Sequence, residues 1–169
     1  MTPDGDATHL PPPEPPPEAQ RRLKRLRVMA WLLDRSIPIG GGWRIGLDPL
    51  LGLLPGAGDA LGALFSVSIL YDAARLGLPW RVLVRMAGNI LIEAVVGLLP
   101  VFGDLFDFVW QANMRNLRLV EKFYHPRQSP RSGRQIALAL GLFALLLLAL
   151  IATGMYFLVQ GISALSAGR

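Results

Sequence analysis

The chain has 169 residues, of which 52% are hydrophobic, with no cysteine and a formal net charge of +5. That length holds one domain plus appendages, and the apolar share with a positive mean hydropathy is high for a soluble domain and ordinary for a membrane protein. The absence of cysteine excludes disulfides, thiolate metal sites and thiol catalysis, and the two histidines, His9 in a polar tail and His125 beside a proline, argue against an imidazole metal site.

Acids and bases are segregated along the chain. Residues 1–20 carry Asp4, Asp6, Glu14 and Glu18 but no basic residue, and "PPPEPPPE" at 11–18 is an extended polyproline run unable to build a core. The expectation is a disordered tail over 1–20. It is no secretory signal, because the order is acidic, proline-rich, then basic, without an early apolar stretch. The basic side chains, 15 Arg against 2 Lys, fit a GC-rich bacterial genome.

A basic amphipathic helix is predicted over 21–36. Leu23, Leu26, Ala30 and Leu33 recur at spacings of three and four, and Arg21, Arg22, Lys24, Arg25 and Arg27 crowd the other side. Trp31 near its apolar end suits a membrane interface; packing on the rest of the domain would use the same stripe, and the two coexist. The expected partner of the five bases is the bilayer through anionic headgroups, not nucleic acid, since no recognition fold surrounds the run. "PIGGGW" at 38–43 breaks the chain.

Residues 44–123 read as a duplicated helical membrane domain. "GLLPGAGD" at 52–59 returns as "GLLPVFGD" at 97–104, and the same offset pairs Ile45 with Ile90 and Asp48 with Glu93. The copies cover about 45–75 and 90–120, an internal duplication. In each, an apolar helix runs into Pro55 or Pro100, whose ring disfavours helix and removes a donor. Gly58 or Gly103 admits a backbone shape closed to other residues, and Asp59 or Asp104 accepts from the free amides of the next helix. Each copy is helix, break, helix. Paired Gly/Pro-interrupted apolar segments point to a site at a repeat interface, and acids at membrane depth are candidates for function. The arginines flanking each copy, Arg44 and Arg75, then Arg85 and Arg115, favour re-entrant hairpins with both ends on one face over two complete spans.

After the second break, "DLFDFVWQANMRNLRLVEK" reads as one helix with Asp104, Asp107, Gln111, Arg115, Arg118 and Lys122 in a single stripe, graded from acid to base. Asn113 lies on the opposite, apolar face, where an unpaired amide is costly; Asn89 is the expected partner, with both acting as polar glue between helices. The matching helix of the first copy offers Gly62, Ala63 and Ser66, a small-residue face suited to close helix contact, and self-association of the chain is compatible with it. A basic linker, 124–135, precedes 136–158, where 23 uncharged residues suffice to cross a hydrocarbon core of about 30 Å. Arg127, Arg131 and Arg134 precede that span and only Arg169 follows it. The positive-inside rule therefore predicts a cytoplasmic N-terminus at a bacterial inner membrane, with the short tail 159–169 outside.

"DPLLGLLPGAGD", "RLGLP", "RMAGNILIEAVVGLLPVFGDLFD" and "QANMRNL" together resemble a bacterial and fungal family catalogued as domain of unknown function 4112. The likeness runs from about Gly46 to Phe123 and is closest at Arg85–Asn89, at Gly103-Asp104-x-x-Asp107 and at Asn113-x-Arg115-Asn116. It implies a membrane-associated domain and brings no activity with it.

The fold class expected is therefore an all-α membrane protein, with duplicated helix-break-helix hairpins and one C-terminal transmembrane helix. Three functions follow from different residues. In the first, Asp59 and Asp104, tuned by Asp107 and Arg115 and flanked by Asn89 and Asn113, form a polar site for a proton, a cation or a lipid headgroup. In the second, the protein is structural or scaffolding and the acids only cap helices; Asp59→Asn, which keeps the cap, would then preserve function. In the third, Asp104 and Asp107 share Mg²⁺ with a pyrophosphate in a lipid-modifying enzyme, although the first copy has Gly62 in place of the second acid. No Ser/His/Asp set, Walker-type loop or dinucleotide fingerprint is present, so the reading leans away from an enzyme. No cofactor is expected.

Overall fold

The computed structural model describes residues 14–47, 57–97, 110–130 and 132–167. The elements run α1 (Pro17–Arg35), β1 (Ile37–Gly40), β2 (Trp43–Ile45), α2 (Ala57–Arg75), α3 (Trp80–Gly97), α4 (Ala112–Phe123) and α5 (Gly133–Ala167). The class is all-α, as its apolar periodicities predict, with one small hairpin.

The basic helix begins earlier than expected. Pro16 and Pro17 start α1 rather than extend the tail, since a proline at the first helical position loses no hydrogen bond. Leu26, Ala30 and Leu33 are buried on α2 and α4, so the stripe packs on the rest of the domain. "PIGGGW" is more than a break. Strands β1 and β2 pair antiparallel, Ile37 against Ile45, through a turn in which Gly41 and Gly42 both take positive φ. The chain then returns to α1: Leu47 N–H donates to the Leu32 carbonyl, and a Cβ on Gly46 would collide with the Leu33 carbonyl.

Ile45, the first residue of the first copy, lies in a strand, because pairing with Ile37–Gly40 satisfies its backbone; the residues expected to lead as a helix into Pro55 lie outside the described residues. The offset-matched Ile45 and Ile90 thus lie in a strand and a helix respectively. Between α2 and α3, "RLGLP" makes a Schellman cap. Leu78 N–H reaches the Ala73 carbonyl and Gly77 N–H the Ala74 carbonyl, with Gly77 at φ 82° and Pro79 stopping the helix.

A correction concerns the graded stripe. Gln111 stands in the left-handed region at φ 47°, and α4 starts only at Ala112. A left-handed residue rotates the chain, so Arg115 and Lys122 do not continue one helical face from the segment before Gln111.

Helices α1 to α4 enclose a core of Leu26, Ile69, Ala73, Leu78, Met86 and Val120. Helix α5 leans on α2 and α3. One stripe of it faces the bundle, with Ile136 and Leu147 buried and Leu140 and Phe143 packed on the core, while Leu138, Leu142, Leu145 and Phe157 are exposed. At 1.5 Å per residue that stripe is about 17 Å long. Residues Gly133–Gly161 are long and apolar enough to cross a membrane.

Candidate functional site

The bundle has two ends of different chemistry. Arg75 approaches Gly133, so α2 ends where α5 begins. At that end Arg22 and Arg25 reach α2 at Asp72 and Ser68, while Arg27 reaches Glu121 near the end of α4. At the opposite end α1 stops, α2 begins, α3 stops and α4 begins.

Polar groups in the interior cluster toward that opposite end. Asp34 comes from the last turn of α1, next to the buried Leu33. Its Oδ1 accepts from Asn113 Nδ2 at 2.9 Å and its Oδ2 from the Met114 amide at 2.7 Å. α4 has no side-chain cap of its own, and Asp34 supplies one from another helix. Ser66 Oγ on α2 donates to Asn113 Oδ1 at 3.2 Å, so three helices meet at one buried amide. Burial pushes the Asp34 carboxyl above its usual 3.8, against the Met114 and Asn113 donors that favour the charged form.

The expected Asn89–Asn113 pair is not formed. Asn89 Nδ2 donates instead to Asn116 Oδ1 at 2.8 Å, and Asn116 Nδ2 donates to the Met86 carbonyl at 3.2 Å. Residues 113 and 116 lie one turn apart on α4. Asn116 faces α3 and Asn113 faces α1 and α2, so each takes the partner its own side offers. Trp110 Nε1 also donates to the Asn89 carbonyl. Arg115 donates to the Trp110 carbonyl and stacks on its ring, 4.0 Å from the centroid.

Of the remaining predicted residues, Gly58 and Asp59 fall in the first turn of α2. The side chain of Asp59, together with Pro55, Pro100, Gly103, Asp104 and Asp107, lies outside the described residues. Among the described residues no three acids or histidines gather as a metal cluster. Three of the five bases proposed for lipid are engaged internally. Fully buried Asp72 accepts Arg22 at 2.7 Å and lies 3.4 Å from Arg25, and Arg27 bonds Glu121. Sequence reasoning passed over Asp34 and Asp72. The signal was present in both: Asp34 continues the Leu26–Ala30–Leu33 stripe, and Asp72 interrupts the apolar run "SILYDAARL".

A helical bundle with a buried asparagine–aspartate network, packed against one helix long and apolar enough to cross a membrane, defines an all-α domain with one candidate span. The chain belongs to the family described as "Domain of unknown function (DUF4112)", which matches residues 22–124. The match begins within α1, ahead of the Gly46 start read from the motifs, and it ends where α4 ends, so α5 lies outside the matched residues. An uncharacterized membrane protein of Saccharomyces cerevisiae is 32% identical over 122 residues, 70% of this chain and 51% of that protein. The chain thus spans about half the length of this relative. No solved structure matches.

Proposed function

We propose that this protein is a structural membrane module: a polar-locked helical bundle held at membrane depth by its span, with its basic end on the cytoplasmic face. The observation that carries it is the hydrogen bonding of interior polar side chains to one another where α1 to α4 meet. Asp34, Ser66 and Asn113 satisfy one another, and Asn89, Asn116 and the Met86 carbonyl do the same. Such networks fix how helices pair and leave little capacity for a passing solute. A yeast relative that is itself an uncharacterized membrane protein supports the location. The basic residues Arg22, Arg25, Arg75, Arg81, Arg85, Arg118 and Lys122 toward the start of α5 outnumber Arg35, Arg44 and Arg115 at the other end and support the orientation, by the positive-inside rule.

A second reading, a polar site at Asp59 and Asp104, is favoured by one feature. The Ser66–Asn113 bond ties together the two helices that follow the motifs, so α2 and α4 both begin at the same end. Flux assays separate the two. The full chain reconstituted in sealed vesicles should pass neither protons nor monovalent cations faster than empty vesicles. Flux that is abolished by Asp59→Asn or Asp104→Asn would replace the structural reading with the site.

A further inference from the structure

Where α5 begins, a cavity of about 490 Å³ opens between α2, α3 and α5. Its walls are Leu70, Leu83, Ala87, Ile136, Leu140 and Phe143, all apolar, with Gln135 and Trp80 at the rim. The α5 residues that line it, Gln135 to Phe143, are the first turns of the stretch able to cross the membrane. At 1.5 Å per residue they cover about 12 Å, the depth from the headgroups into the upper acyl region. An opening at that depth, beside a lipid-facing helix, meets bilayer rather than water.

We propose that this cavity binds one acyl chain of an anionic phospholipid drawn from the leaflet at the basic end. The volume falls within the range of about 300–1,000 Å³ typical of small-molecule sites, and the lining matches a hydrocarbon chain. Charge complementarity selects the headgroup. Arg81 and Arg85 on α3 follow the cavity residues Trp80 and Val84, and Arg134 precedes Gln135; all three are exposed. Trp80, 58% exposed, is of the type that settles at the headgroup boundary. The proposal rests on the membrane depth given in that reading but not on the structural role, because a transporter with this cavity would hold the same lipid.

The test is lipid identification on the intact, detergent-purified chain. Extraction and mass spectrometry should find phospholipid retained, with the anionic classes enriched over the source membrane. Each basic residue near an anionic surface contributes about 1 kcal/mol, or roughly fivefold. Arg81→Gln with Arg85→Gln should therefore remove most of the anionic enrichment while leaving acyl binding. Ala87→Trp should exclude the lipid with an unchanged circular dichroism spectrum. Should that variant fail to fold, spin-labelled phosphatidylglycerol in phosphatidylcholine vesicles serves with the parent chain. A motionally restricted fraction, larger than for spin-labelled phosphatidylcholine, is expected. Absence of retained lipid, or equal restriction of the two labels, overturns the proposal.

Discussion

Asn113 on α4 donates to Asp34 on α1 at 2.9 Å, across 79 residues of sequence. The amide also accepts from Ser66 on α2, so one side chain holds the relative position of three helices. Asp34 in turn satisfies the Met114 amide at the start of α4. The network is therefore both a tertiary clasp and a helix cap supplied from a distance.

Asn113→Ala removes the donor to a buried carboxylate and the acceptor for a buried hydroxyl. Leaving such groups unsatisfied costs about 1–3 kcal/mol, and a loss near the upper end is expected in denaturant unfolding of the purified chain. Asn116→Ala, which strands only the Asn89 amide and one carbonyl bond, should cost less. Equal losses would show that the charge on Asp34 adds nothing to the clasp.

The raised pKa of Asp34 has a defined sign. The folded state holds this proton more tightly than the unfolded chain, whose carboxyl titrates near 3.8. Its contribution to stability is therefore fully present below pH 3.8 and is lost as pH rises through the raised value. Asp34→Asn cannot ionise. The melting temperature of the variant minus that of the parent should accordingly increase as pH rises from 3.8 through the acid range. A difference that stays flat over that range would place the Asp34 carboxyl at its ordinary value.

Asp72 is fully buried and depends on Arg22 at 2.7 Å, with Arg25 as a longer and more exposed neighbour. Breaking a buried pair from one side costs about 3–5 kcal/mol. Arg25 remains near Asp72 in Arg22→Ala, so a loss of about 3 kcal/mol is expected. Adding Asp72→Asn to that variant should recover most of it, since the stranded charge is then gone. A double variant no more stable than Arg22→Ala would mean that Arg22 acts through contacts other than Asp72, including the approach of its guanidinium to the Tyr71 ring.

The parts of this fold that were legible in the sequence are those set by one element alone. The apolar run of α5 and the Leu26–Ala30–Leu33 stripe both depend on apolar pattern alone. Polar pairings were not legible, because a helical period shows which face is buried but not which helix covers it. Asn113 and Asn116 lie on one short helix, yet they turn to different neighbours. The hairpin was hidden in three glycines that read as an interruption, although two positive-φ residues between short apolar segments are a hairpin signature. Gln111 carries no composition cue at all: a left-handed glutamine has no sequence signal, and it undid the predicted continuous stripe.

Membrane depth is the last prediction, and the cysteine-free chain allows it to be read one thiol at a time. His125 is exposed in the segment before α5, and Ala164 is exposed beyond the apolar stretch. With the basic end cytoplasmic, His125→Cys should react with a membrane-impermeant maleimide only from the cytoplasmic side, and Ala164→Cys only from the other. Leu64 on α2 discriminates further. It is 56% exposed and apolar, and its helix lies along α5. If the bundle shares the depth of the span, Leu64→Cys faces acyl chains. It should stay unreactive from both sides in sealed vesicles, yet label fully once detergent and denaturant open the chain. A bundle resting in water on the membrane surface would instead leave Leu64→Cys as reactive as His125→Cys from the cytoplasmic side. That result would separate the domain from the bilayer, reduce α5 to a tether, and remove the setting in which the cavity between α2, α3 and α5 could take a lipid chain.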